Sequence, residues 1–66
     1  MAQFKMASSN QAHIQLLTMG NWITIQTCVN NSGFVTAFME QVQQSHPGQR
    51  VRAIDPENGR IIDILS

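Results

Sequence analysis

A chain of 66 residues makes one domain at most and buries only about 60% of the surface its unfolded form exposes, so a fold of this size usually leans on a disulfide, a metal or a partner subunit. The single cysteine, Cys28, excludes an internal disulfide, and with only two histidines beside it the sequence has no zinc-ligand spacing. Charged residues make up 12% of the chain and cancel to zero, against roughly 25% in ordinary soluble proteins, so charge does little to hold copies apart and a general affinity for nucleic acid is disfavoured.

Residues 1–11 read as a flexible arm, polar and rich in small residues apart from Phe4 and Met6. Residues 12–66 are then one small domain. The opening MAQFKMASSNQ has one lysine and no sustained apolar stretch, which does not suit a secretory leader. No run approaches the roughly 20 apolar residues of a membrane span. With a lone thiol, these features point to a reducing cytoplasm and to no membrane partner. Asn30-Asn31-Ser32 matches a glycosylation tripeptide, but without an export signal it reads as a loop and helix cap.

The first structured unit is HIQLLTMGNWITIQTCV, rich in the β-branched and aromatic residues that strands favour. Gly20-Asn21 suits a two-residue hairpin turn. That turn sets Met19 against Trp22, Leu17 against Thr24, Ile14 against Thr27 and His13 against Cys28. One face then carries Ile14, Leu16, Thr18, Ile23, Ile25 and Thr27, and reads as core. The other carries His13, Gln15, Leu17, Met19, Trp22, Thr24, Gln26 and Cys28.

A helix follows. Asn31 or Ser32 can cap it, because a short side-chain oxygen accepts from the free N–H groups of a first turn. Phe34, Val35, Phe38, Met39 and Val42 fall within an arc of roughly 140° at 100° per residue. The stripe is one-sided, so the helix covers one surface only. Pro47-Gly48 ends it, since the residue before a proline is pushed out of helical geometry. His46 is expected to serve that helix end rather than any chemistry.

RVRAIDPENGRIIDIL reads as a second hairpin with the four-residue loop Pro56-Glu57-Asn58-Gly59. This register pairs Asp55 with Arg60, Ile54 with Ile61, Ala53 with Ile62, Arg52 with Asp63 and Val51 with Ile64. Val51, Ala53, Ile62 and Ile64 then share the core face. Arg50, Arg52, Ile54, Ile61, Asp63 and Leu65 share the other.

The fold class is therefore α+β with element order β-β-α-β-β, one helix packed on one face of a four-stranded, mostly antiparallel sheet. A single helix leaves the second face of that sheet uncovered. Leu17, Met19, Trp22, Ile54, Ile61 and Leu65 are expected there as an interface. Such a patch reaches several hundred Å², which marks an interaction site, and covering it is worth on the order of 10 kcal/mol before association entropy is subtracted.

The chemistry-bearing residues offer little else. His13 and Cys28 face each other in the expected register, where an imidazole can activate a thiol, but no third group orients them and a strand-end cysteine is usually a packing residue. Asp55 and Glu57 flank a turn, and Asp63 is expected to pair with Arg52, which leaves no cation site. The reading is a non-enzymatic interaction protein without cofactor or metal, of the size usual for bacterial or phage accessory proteins. It is expected to form a homo-oligomer, first of all a dimer, through the open sheet face and to bind a macromolecular partner. The alternative is a weak nucleic-acid module built from Arg50, Arg52 and Arg60 with Trp22, whose binding would fall steeply with salt.

Overall fold

The computed structural model describes residues 10–65. Its elements are β1 (Gln11–Thr18), β2 (Asn21–Val29), α1 (Ser32–Ser45), β3 (Val51–Ile54) and β4 (Ile61–Leu65). They form an α+β fold with a four-stranded sheet in the order β2-β1-β3-β4. Every neighbouring pair is antiparallel. β2 and β3 therefore point the same way on either side of β1, and α1 carries the chain across the central strand. The arm expected over 1–11 falls outside the described residues as far as position 9, and Gln11 already belongs to β1.

The core lies between α1 and one sheet face. Val35, Met39 and Val42 are the buried helix positions, spaced so that they line up on one side of the cylinder. They meet Ala12, Ile14 and Leu16 of β1 and Val51 and Ala53 of β3, with Cys28, Phe38 and Leu65 packed around them. Phe34 belongs to the predicted apolar stripe but is exposed. It sits in the first turn of α1, beside rather than above the buried row. Asn31 caps that turn: its Oδ1 accepts from the N–H groups of Gly33 (3.0 Å) and Phe34 (3.4 Å). At the other end the backbone N–H of His46, the C-cap residue, donates to the carbonyls of Val42 (3.0 Å) and Gln43 (3.2 Å).

The first hairpin differs from the expected register in two ways. The turn is Met19-Gly20 rather than Gly20-Asn21, with both residues at positive φ (51° and 82°). A two-residue turn left-handed at both positions matches the twist of the flanking strands, and Asn21 is thereby freed to pair with Thr18. The register near the turn moves by two residues, which keeps each side chain on its face. Leu16 lies opposite Ile23, and Leu17 opposite Trp22. A bulge then intervenes: Gln15 pairs with Thr24, but Ile14 pairs with Gln26, leaving Ile25 as the extra residue. Beyond it the two faces of β2 exchange. Cys28, not Thr27, reaches the core, opposite Ala12, while Thr27 lies opposite His13.

The second hairpin keeps its expected loop. Gly59 is at φ 74°, and Asp55 N–H donates to the Arg60 carbonyl at 2.9 Å. The Oδ1 atoms of Asp55 and Asn58 accept the N–H groups of Glu57 and Arg60, each at 2.9 Å. Ile54 pairs with Ile61 as expected. A second bulge, at Ile62, then shifts β4, so that Ala53 faces Asp63, Arg52 faces Ile64 and Val51 faces Leu65. The predicted pairs Ala53–Ile62, Arg52–Asp63 and Val51–Ile64 are all displaced by this one extra residue. Leu65 accordingly moves to the helix side, and Ile64 takes its place on the open face.

Candidate functional site: the helix-free sheet face

Three antiparallel registers define what the uncovered face displays. From β1 come His13, Gln15 and Leu17; from β2 come Trp22, Thr24 and Thr27. β3 supplies Arg52 and Ile54, and β4 supplies Ile61 and Ile64. Cross-strand partners share a face and stand close enough to touch, so the pairs Leu17–Trp22 and Ile54–Ile61 are neighbours here. Of the six expected interface residues, these four are brought to one face. Met19 is not among them: it forms the turn and is 96% exposed. Leu65 is not among them either, because it packs on the core beside Val51.

The face is not uniformly oily. Its centre is a polar side chain, Gln15, which is only 8% exposed. Both ends of the amide are bonded: Nε2 donates to Thr24 Oγ1 at 2.9 Å, and Oε1 accepts from Arg52 Nε at 2.7 Å. The three residues lie in one row across β2, β1 and β3. The Arg52 guanidinium in turn stacks on the Trp22 ring, 4.2 Å from its centroid, a favourable placement for a cation on an indole face. Composition and periodicity point to Trp22 and Arg52 separately. Their contact depends on the registers on both sides of β1, which the hydrophobic pattern alone left open.

Leu17 and Trp22 flank this polar row on one side, Ile54 and Ile61 on the other, and Ile64 stands at its end. Ile61 is 55% exposed and Ile64 40%, while Leu17, Trp22 and Ile54 are half-buried by their neighbours. Sequence reasoning missed Ile64 because a single inserted residue reverses the alternation of a strand. The same device separates His13 from Cys28. His13 stands on the open face opposite Ile54 and Thr27, whereas Cys28 packs on the core side. The expected imidazole–thiol pair does not form, and burial pushes the Cys28 thiol upward from its ordinary range.

The acids and bases are scattered. Asp63 lies across from Ala53, with its Oδ1 accepting the Ile64 N–H at 2.8 Å. Asp55 and Glu57 belong to the β3–β4 loop, and Glu40 is exposed on α1. Among the described residues no cluster of His, Cys, Asp and Glu is placed to hold a metal ion. Arg50 precedes β3 and Arg60 follows the loop at its other end, so the three arginines do not converge on Trp22: Arg52 alone reaches it. No helix of the described residues is long and apolar enough to cross a membrane.

Both sheet edges, β2 and β4, carry a bulge. Bulges bend and twist an edge and interrupt its row of pairing groups, which works against edge-to-edge addition of another strand. Among the described residues, the broad sheet face opposite α1 carries no such interruption at its centre. No protein-family model, curated protein or solved structure matches this chain.

Proposed function

We propose that this chain is a small interaction protein that works through its helix-free sheet face, docking first on a second copy of itself and through that assembly on a macromolecular partner. The observation that supports this reading is the grouping of Leu17, Trp22, Ile54, Ile61 and Ile64 on a face that none of the described elements covers. Apolar surface of this kind is stabilised by removal from water. A two-fold arrangement uses one self-complementary patch twice.

The dimensions set the strength. Four strands at about 4.8 Å spacing, with up to eight residues in the central strand at about 3.3 Å each, give a face of at most roughly 500 Å². Two such faces bury on the order of 1,000 Å², the low end for a specific interface. Three of these five apolar groups are already partly covered within one chain, so the gain is smaller than full burial of each would give. Self-association in the micromolar range is the expected strength, not the obligate pairing of a large hydrophobic dimer.

Trp22→Asp combined with Ile61→Asp places two carboxylates in the patch and is expected to give a monomer in sedimentation at every concentration tested. A double variant that associates like the parent would remove this face from the account. The nucleic-acid reading has less support, because Arg50 and Arg60 stand at opposite ends of β3 and one face of Trp22 is occupied by Arg52.

A further inference from the structure

Arg52 is the one formally charged side chain that the strand registers place on the open face. The four acids of the chain are Glu40, Asp55, Glu57 and Asp63, and none of them is on it. Glu40 belongs to α1, and Asp55 and Glu57 belong to the loop after β3. Asp63, which an unbroken register would set against Arg52, is carried to the other side by the bulge in β4. The guanidinium nevertheless has a fixed setting. Gln15 holds Nε at 2.7 Å, Thr24 holds Gln15 at 2.9 Å, and the Trp22 ring supports the guanidinium plane at 4.2 Å. Ile64 is its cross-strand neighbour.

A guanidinium has five N–H donors, and the bond to Gln15 uses the one on Nε. The two terminal amino groups remain, side by side, as a fork that matches the two oxygens of a carboxylate. Two features strengthen such a fork here. Its orientation is set before any ligand arrives, so little side-chain freedom is lost on binding. Its surroundings are partly apolar, which raises the strength of a charge-assisted bond relative to open solvent. The ligand is also bounded from above: among the described residues one cation stands here without a second nearby, which suits a monoanion better than a doubly charged phosphate.

From this geometry we infer that Arg52, braced by Gln15 and Trp22, is a seat for a carboxylate carried on an apolar body. This extends the reading of the open face without depending on self-association: a ligand in the seat and a second copy on the face exclude one another. Among the described residues, a second copy offering the same face has no side-chain carboxylate to place there. The seat is therefore filled from elsewhere, and because the described face has no cavity to enclose a small acid, the occupant is an Asp or Glu side chain of a docked protein.

The test is a titration followed by nuclear magnetic resonance at the Arg52 Nε–H and the Trp22 indole N–H, with sedimentation of the same sample recorded in parallel. Sodium benzoate is the small-acid probe, and acetyl-Leu-Glu-Leu-amide is the side-chain probe. Sodium chloride at matched ionic strength and inorganic phosphate are the controls. The expected result is a saturable movement of both resonances with benzoate or the peptide, larger than any produced by chloride or phosphate. Stronger binding of the peptide assigns the seat to a protein side chain, and stronger binding of benzoate assigns it to a small acid. Arg52→Lys should abolish saturation, and Gln15→Leu, which keeps the charge but releases its brace, should weaken it. Equal responses to chloride and benzoate in the parent, or an Arg52→Lys protein that titrates like the parent, would overturn the inference. A monomeric parent that still binds benzoate would count against self-association alone.

Discussion

Gln15→Ala probes the polar row at the centre of the open face. The side chain is 8% exposed and makes two hydrogen bonds, one to a neutral hydroxyl and one to a guanidinium. A neutral bond contributes about 0.5–1.5 kcal/mol and one to a charged group about 1.5–3 kcal/mol. Truncation removes both and adds no burial in return, so a loss of about 2–4.5 kcal/mol is expected. A chain of 66 residues has a total stability of roughly 3–10 kcal/mol at the usual value per residue, so this is a large fraction. Gln15→Leu loses the same bonds but buries an apolar side chain of similar size, which offsets about 1.5–3 kcal/mol. Its net cost should be about 1 kcal/mol or less. The assay is urea unfolding by far-ultraviolet circular dichroism at one fixed protein concentration, because association adds stability by mass action. An unchanged urea slope is required before the midpoints are compared. If Gln15→Ala unfolds within about 0.5 kcal/mol of the parent, as an ordinary surface substitution does, then Gln15 is not an organising residue of this face.

Three further outcomes are expected from the same packing. Met39→Ala removes a side chain that is 1% exposed beneath the sheet, and is expected to cost about 2–5 kcal/mol in the same unfolding experiment; a smaller loss would mean that α1 does not pack as described. Met19→Asn should raise stability by about 0.5–1 kcal/mol, since Met19 sits at φ 51° and Asn-Gly is the preferred pair for this turn; a loss would contradict the turn assignment. Cys28 packs against the core with its ionisation pushed up by burial, so iodoacetamide at pH 8 should modify it more slowly than free cysteine. Equal or faster modification would contradict its placement on the core side.

The fold class was legible because its signals are local and redundant. Val35, Met39 and Val42 mark the buried side of α1, Asn31 marks its start and Pro47 its end. Gly59 and Pro56 fix the second loop. The site was legible only in part, because the face a strand residue occupies is a running count from the turn. One extra residue at Ile25 moved Cys28 to the core side and Thr27 to the open side, and another at Ile62 exchanged Leu65 for Ile64. Nothing in Ile-Ile-Asp-Ile announces such an insertion, since either phase places isoleucine on both faces, and the regular alternation of Ile-Thr-Ile-Gln argues against one. The two-residue error at Met19-Gly20 did less harm, because an even shift preserves the faces. The contact between Arg52 and Trp22 spans three strands, and it required the strand order β2-β1-β3 as well as both registers.

Sedimentation equilibrium of the parent chain, from low micromolar to millimolar concentration, tests the role of the uncovered face most directly. The account predicts a reversible rise in mean mass above that of one 7.4 kDa chain, reaching the mass of two copies and absent in the Trp22→Asp, Ile61→Asp double variant. A constant single-chain mass across the whole range would contradict it.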